Sequence, residues 1–257
     1  SLLNDFNALW DGHHEFSSES IFELNFTDAV SLLWGTVSPN NYDIQYMGIR
    51  SIYDNDLYER GWGFCLPTQS LVDAFTLEKD FIRLNATLIS TDSILKHGGT
   101  FEGEPKQTGY WNNKYTTKKE FNKSFAVYGQ NEIKLRYAEV ILMAAEAAAN
   151  LGDDSKAKLY LNAIRSRVNL PLVNNTGNEL LEAIHNERRL ELALESNRFF
   201  DLKRWGKLDQ LDVPNNQAAS KNGLWPIPQK KIDLNPNLEQ NNGYGHVEID
   251  YTSMISR

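Results

Sequence analysis

The sequence reads as a mainly α chain in which tetratricopeptide-like helical hairpins sit beside long loops and a few short strands. Three observations predict this class. Residues 135–149 carry two apolar stripes at helical 3-4 spacing, one of Leu135, Ala138, Leu142, Ala145 and Ala149, the other of Tyr137, Ile141, Ala144 and Ala148. A following segment repeats that period with Ala157, Tyr160, Leu161, Ile164 and Val168. Residues 179–196 add a third helical pattern through Leu180, Leu181, Ile184, Leu190 and Leu194.

Taken in order, residues 18–27 alternate with period two, with Phe22, Leu24 and Phe26 on one face, and predict a strand. Residues 31–63 are rich in Asn, Gly, Tyr and Trp without sustained periodicity and read as long loop with short helices. Pro67 suits the first turn of a helix that brings Leu71, Val72 and Phe75 to one side. β-Branched Ile82, Thr87 and Ile89 predict a strand over residues 81–89. A helical hairpin is expected over residues 131–171. Gly152 ends its first helix, Asp154 or Ser155 caps the second, and Pro171 closes it. That length, with small residues at the crossing, resembles one tetratricopeptide unit, which cannot bury both faces alone and therefore needs partners. Beyond Leu211, Pro214, Pro226, Pro228 and Pro236 interrupt helices and predict an extended, wrapping tail.

Charge and composition exclude several function classes. With 26 basic and 34 acidic side chains the formal charge is −8, which argues against nucleic acid or an anionic membrane surface as the main partner. The lysine-bearing stretch at residues 114–123 also holds Glu120 and reads as solvated surface. A lone cysteine, Cys65, excludes an intrachain disulfide or a multi-cysteine metal site, and with no adjacent His it reads as an inert thiol. No apolar run is long enough to span a bilayer, and no signal peptide opens the chain at Ser1.

The helices also carry charge where a solvent-facing stripe is missing. Arg136, Glu139, Glu146, Glu187, Arg188 and Arg198 are threaded among apolar residues, so the sequence predicts that they are buried and paired. The spacing suggests a ladder, Arg188 to Glu191, Glu195 to Arg198, Arg198 to Asp201 and Asp201 to Arg204, locking helices together. Carboxylates so paired stay ionised and make poor general acids, so a glycoside hydrolase would have to rely on Glu102 or Glu104. His13 and His14 lack zinc-binding spacing, Asp54-Asn-Asp56 lacks the glycine of a calcium loop, and no phosphate loop is present. No catalytic residue, metal or cofactor is expected.

A ligand site is expected in the loop-rich stretch, where aromatic rings that can stack on the C–H faces of sugars are interspersed with side chains that can bond hydroxyls. The candidate ligand-binding residues are Trp34, Tyr42, Tyr46, Asn41 and Arg50.

The phrases at residues 135–147 and 186–205, followed by Trp225-Pro-Ile-Pro228 and Asn235-Pro-Asn-Leu-Glu-Gln240, closely resemble the C-terminal signature of the SusD/RagB family. Ser20-Ile-Phe-Glu23 and Gly61-Trp-Gly-Phe64 resemble further landmarks in the same order. The resemblance implies a SusD-like α/α superhelix and a single domain over residues 1–257. Within it, residues 18–130 are loop-rich, 131–206 form a helical frame and 207–257 a wrapping tail, together the C-terminal portion of a longer precursor. It further implies a non-catalytic, cell-surface nutrient-binding protein of the outer membrane. Such a protein would capture an oligosaccharide or other nutrient for a SusC-like TonB-dependent transporter, and would meet the membrane only through an N-terminal lipid anchor absent from this chain. By the same resemblance Trp62, Phe64, Phe199, Trp205 and Trp225 are expected to be packing residues, and the aromatic platform is expected after the Ser20 strand. A peptide-binding tetratricopeptide-type scaffold is the alternative, with a glycoside hydrolase behind it.

Overall fold

The computed structural model describes residues 1–28, 40–102, 108–121, 128–213 and 216–245. The chain divides into two units, Ser1–Ser196 and Asn197–Arg257. In the first, the elements run β1 (Ser20–Leu24), α1 (Tyr42–Met47), β2 (Ile49–Arg50), β3 (Ile52–Tyr53), β4 (Arg60–Gly61), α2 (Gln69–Glu78), α3 (Phe81–Thr87), β5 (Leu88–Ser90), α4 (Thr91–Lys96), β6 (Thr100–Phe101), β7 (Tyr110–Asn112), β8 (Glu132–Arg136), α5 (Tyr137–Asn150), α6 (Asp154–Arg167) and α7 (Gly177–Glu191). The second unit holds α8 (Arg198–Arg204), α9 (Gln217–Ser220) and α10 (Gln229–Leu234). The fold is mainly α, and the strands pair only two by two: β1 with β8, β2 with β4, β3 with β6 and β5 with β7.

The expected hairpin is present. α5 packs on α6 and α7, with Ala145, Ala148, Ala157, Leu161, Leu180 and Ile184 sharing one cluster. The alanines let the helix backbones approach closely. Gly152 takes φ +77 at the turn. The second helix is capped one residue earlier than expected, by Asp153, whose Oδ1 accepts the Lys156 N–H.

Four expectations about elements are corrected. Residues 81–89 do not form one strand, because Asp80 caps a helix by accepting the Arg83 N–H, and the β-branched Ile82 lies on its outer, 41% exposed side; β5 begins only at Leu88. Leu135 is in β8 rather than α5, since residues 132–136 pair antiparallel with the Ser20 strand before the helix starts. α7 ends at Glu191, and Leu194 and Ser196 then take left-handed φ values of 65 and 67. In the second unit the proline-rich tail is not wholly extended: α10 starts directly after Pro228.

Buried charge, the other expectation, is present in a different arrangement. Glu19, Asp80, Glu187, Glu191 and Glu195 meet Arg83, Lys114, Arg136, Arg165 and Arg167 in one balanced cluster. Glu191 accepts from Arg83 at 3.0 Å, from Arg136 at 2.5 Å and from Arg167, in place of the expected Arg188. Glu195 pairs with Lys114 at 2.6 Å and Arg136 at 2.8 Å. Arg188 instead faces Glu139 at 3.7 Å and Glu146 at 3.9 Å, while the expected Asp201–Arg204 pair forms at 2.9 Å. The N-terminal Phe6 and Trp10 cover the cations: Lys114 Nζ lies 4.5 Å from the Trp10 ring centroid, and the Arg167 guanidinium 5.0 Å from that of Phe6. Lys114 is therefore buried, not part of a solvated segment.

The cluster sets a pH dependence. Burial alone would raise the Glu191 carboxyl, but Arg167, Arg136 and Arg83 outweigh it and hold the group well below its ordinary 4.5; Glu195 is lowered similarly, with Arg136 and Lys114 outweighing burial. The unfolded chain then binds more protons than the folded one as pH falls below 4.5, so this stability is complete above that pH and is lost below it. Lys114 acts at the other end. Its burial lowers it from 10.5 to about 8, so its contribution grows as pH rises between those values. Urea midpoints measured from pH 7 to pH 3 are expected to be level until roughly pH 4.5 and then fall. A level profile down to pH 3 would contradict this electrostatic account.

Candidate functional site

Residues 40–64 build an aromatic face by two local devices. The first is α1. Asn41 caps it, its Oδ1 accepting the Asp43 N–H at 3.1 Å and its Nδ2 donating to Gln130 O at 2.9 Å. Tyr42 and Tyr46, four apart, then share one side of the helix, with ring centroids 6.4 Å apart and planes at 25°.

The second device is Gly61-Trp-Gly-Phe64. This segment runs along the end of α1, where Trp62 N–H donates to Gln45 O at 2.8 Å, Gly63 N–H to Gly48 O at 2.9 Å and Phe64 N–H to Tyr46 O at 2.8 Å. So close an approach needs the glycines. A Cβ on Gly61 would lie 2.7 Å from both Gln45 O and Gly48 Cα, and Gly63 sits at φ +67, where a Cβ would come 2.9 Å from Arg50 Cβ. Trp62 and Phe64, on either side of the left-handed Gly63, bring their rings within 5.5 Å of each other at 57°. Tyr46 meets Trp62 at 5.2 Å and is nearly parallel to Phe64 at 6.2 Å and 12°. The result is a continuous set of four rings, in which Phe64 is 68% exposed and Tyr42, Tyr46 and Trp62 are half-buried.

Beside the rings is a cavity of about 430 Å³ lined by Gln45, Arg50, Ser51, Tyr53, Arg60, Gly61, Trp62 and Phe64. The Tyr53 hydroxyl donates to Glu102 Oε2 at 2.8 Å, which raises the Tyr53 pKa, and the Arg60 guanidinium lies 5.6 Å from the Tyr53 ring centroid. Rings, amide and guanidinium groups can hold a flat polar molecule.

The structure brings Tyr42, Tyr46 and Arg50 to this face. Asn41 is 2% exposed with both ends of its amide engaged, so it supports the face from beneath. Trp34 lies outside the described residues. The expectation that Trp62 and Phe64 are core is corrected: the glycines that make the phrase recognisable lift its aromatic residues outward instead. Trp225 is likewise 79% exposed, not packed. Of the other loop residues, Tyr58 turns toward the Ile49 and Ile89 cluster, and the buried Asn55 accepts the N–H groups of Leu57 and Tyr58. In the sequence Tyr53 and Trp62 stand only in the general aromatic mixture of the loop-rich stretch and Arg60 carries no signal; for the platform, the Gly-aromatic-Gly-aromatic spacing of residues 61–64 is the available one.

The family model described as SusD family matches residues 93–222. A SusD-like protein P2 of Formosa agariphila is 28% identical over 275 residues, covering 95% of this chain and 52% of that protein. A solved laminarin binding SusD-like protein superposes with TM-score 0.78 at 31% identity, over 95% of this chain and 54% of that one. Surface glycan-binding protein A from Bacteroides thetaiotaomicron in complex with laminarihexaose gives TM-score 0.76 at 29% identity, over 94% and 56%. This chain thus spans about half the length of each of these relatives. The matched range contains the buried-charge helices, whereas the aromatic face lies ahead of it. By that match and these likenesses the chain belongs to the SusD family.

Proposed function

We propose that this chain is a non-catalytic oligosaccharide-binding module, displayed at the cell surface on the outer membrane, that passes its cargo to a SusC-like TonB-dependent transporter. The observation that carries the binding reading is the continuous face of Tyr42, Tyr46, Trp62 and Phe64 beside a polar cavity. Sugar rings present C–H faces that stack on such surfaces, while Arg50, Arg60 and Gln45 offer donors to their oxygens. The laminarihexaose complex of the glycan-binding relative supports a sugar as the class of cargo. Buried carboxylates held ionised in pairs support binding without hydrolysis. Of the candidates named from sequence, Tyr42, Tyr46 and Arg50 serve as contacts in this reading and Asn41 as their support.

A glycan and peptide array with the protein and with Trp62→Ala/Phe64→Ala tests it. Sugar signals are expected, with a loss of at least tenfold in affinity in the double variant, about 1.4 kcal/mol or more, at unchanged melting temperature. Signals confined to peptides and indifferent to both rings would favour the tetratricopeptide-type scaffold.

A further inference from the structure

We infer that the cargo is an acidic oligosaccharide, one bearing carboxylate or sulfate groups, whose anion is held by Arg50 and Arg60 while its sugar faces lie on Trp62 and Phe64. This rests on the aromatic face being the binding site and goes further by fixing the charge class of the ligand. The first support is the lining of the cavity. Among the described residues its charged members are Arg50 and Arg60, its other polar members are Gln45, Ser51 and Tyr53, and none of these is a carboxylate. A neutral sugar presents hydroxyl donors as well as acceptors and is best matched by a lining that includes carboxylates. A wall dominated by guanidinium donors matches a ligand that is itself a strong acceptor. The acceptor capacity present is already partly used, since Gln45 Oε1 takes the Tyr128 hydroxyl at 3.3 Å and the exposed Glu102 takes that of Tyr53.

Arg50 differs from the arginines of the frame. Arg83, Arg136 and Arg167 are buried and each meets two or more carboxylates. Arg50 is exposed, and among the described residues no carboxylate lies within salt-bridge distance of it, in a chain with eight more acids than bases. Its place is built. Arg50 pairs with Gly61 in the parallel β2–β4 register, and the left-handed Gly63 leaves room for its Cβ. Arg60 follows one register step away, opposite Ile49, with its guanidinium against a Tyr53 ring anchored through Glu102. Planar forks placed this way can take a carboxylate or a sulfate through two hydrogen bonds. With a net charge of −8 the whole chain repels polyanions at long range, so selectivity arises at contact and is screened by salt.

The test is calorimetric titration of the protein with a hexameric oligogalacturonate, a sulfated galactan hexamer and laminarihexaose, at about 0.01 and 0.15 M salt. The variants are Arg50→Gln, Arg60→Gln and Phe64→Ala. One of the acidic hexamers is expected to bind at least tenfold tighter than the neutral one, more so at low salt. Arg50→Gln is expected to remove most of that preference, and the hexamer preferred identifies carboxylate or sulfate. Laminarihexaose bound as tightly as both acids, with Arg50→Gln and Arg60→Gln unchanged, would overturn the inference. If Phe64→Ala abolished that neutral binding, the aromatic face would stand as the site. Acidic binding unmoved by Phe64→Ala, or no binding of any hexamer, would overturn both readings.

Discussion

Glu191→Gln is expected to destabilise the protein by about 3–5 kcal/mol, the cost of leaving buried charge without its partner. Glu191 is fully buried and is shared by Arg83, Arg136 and Arg167, so the isosteric amide removes the charge that three guanidinium groups face while changing shape little. The loss is a large part of the roughly 5–15 kcal/mol that holds a domain folded, so the variant is expected to fail in folding before it fails in binding. Urea unfolding reads it as a lower midpoint at unchanged slope. Lys156→Gln supplies the contrast. Its pair with Asp153 spans 3.1 Å but is solvent-exposed and screened by water, and the midpoint is expected to stay close to that of the parent. Equal effects from the two variants would mean that the buried cluster has no special role.

Gly61→Ala is expected to remove ligand binding through the backbone. The added Cβ meets Gln45 O, Gly48 Cα and Gly48 C at 2.7–2.8 Å, all main-chain atoms that cannot swing aside as a side chain could. The Gly61–Phe64 segment must then lift from α1, losing the bonds of Trp62, Gly63 and Phe64 to residues 45–48 and scattering the rings. Overpacking of this kind costs about 1–3 kcal/mol, so the variant should still fold at low temperature while its affinity for oligosaccharide drops at least tenfold. Gly152→Ala is the matched control: its Cβ enters open space, and only the left-handed φ of +77 is strained, at about 1–2 kcal/mol. It is expected to lower stability and leave affinity unchanged. Wild-type affinity in Gly61→Ala would show that the phrase does not position the platform.

What is legible in the sequence follows a physical division. Helical periodicity over residues 135–168 marks α5 and α6 because both bury alanine-rich faces, and a run dense in charge but lacking a polar stripe marks buried pairing. The partners are not legible. Sequence spacing suggests neighbours on one helix, whereas Glu191 finds Arg83 and Arg136 across the fold, at separations of 108 and 55 residues. Residues 81–89 mislead because β-branched content outweighs the Asp80 cap, whose effect depends on Arg83 turning into the charge cluster. Tyr42, Tyr46 and Arg50 can be picked out by chemistry within an irregular stretch. Trp62 and Phe64 are misplaced on sequence because a recognisable glycine-aromatic phrase reads as core, while its glycines serve to seat the backbone and turn the aromatic rings outward. Thus α5 to α7, with their buried charge, lie within the matched range, and the proposed binding face is a short segment ahead of it.

The most direct test of that separation is a crystal structure of the protein with a bound oligosaccharide. The account predicts a pyranose ring stacked on Trp62 or Phe64 with its polar substituents reaching the Arg50 side of the cavity, and the Glu191 cluster unchanged from the free protein. A sugar seated away from residues 42–64, with these rings bare, would contradict it.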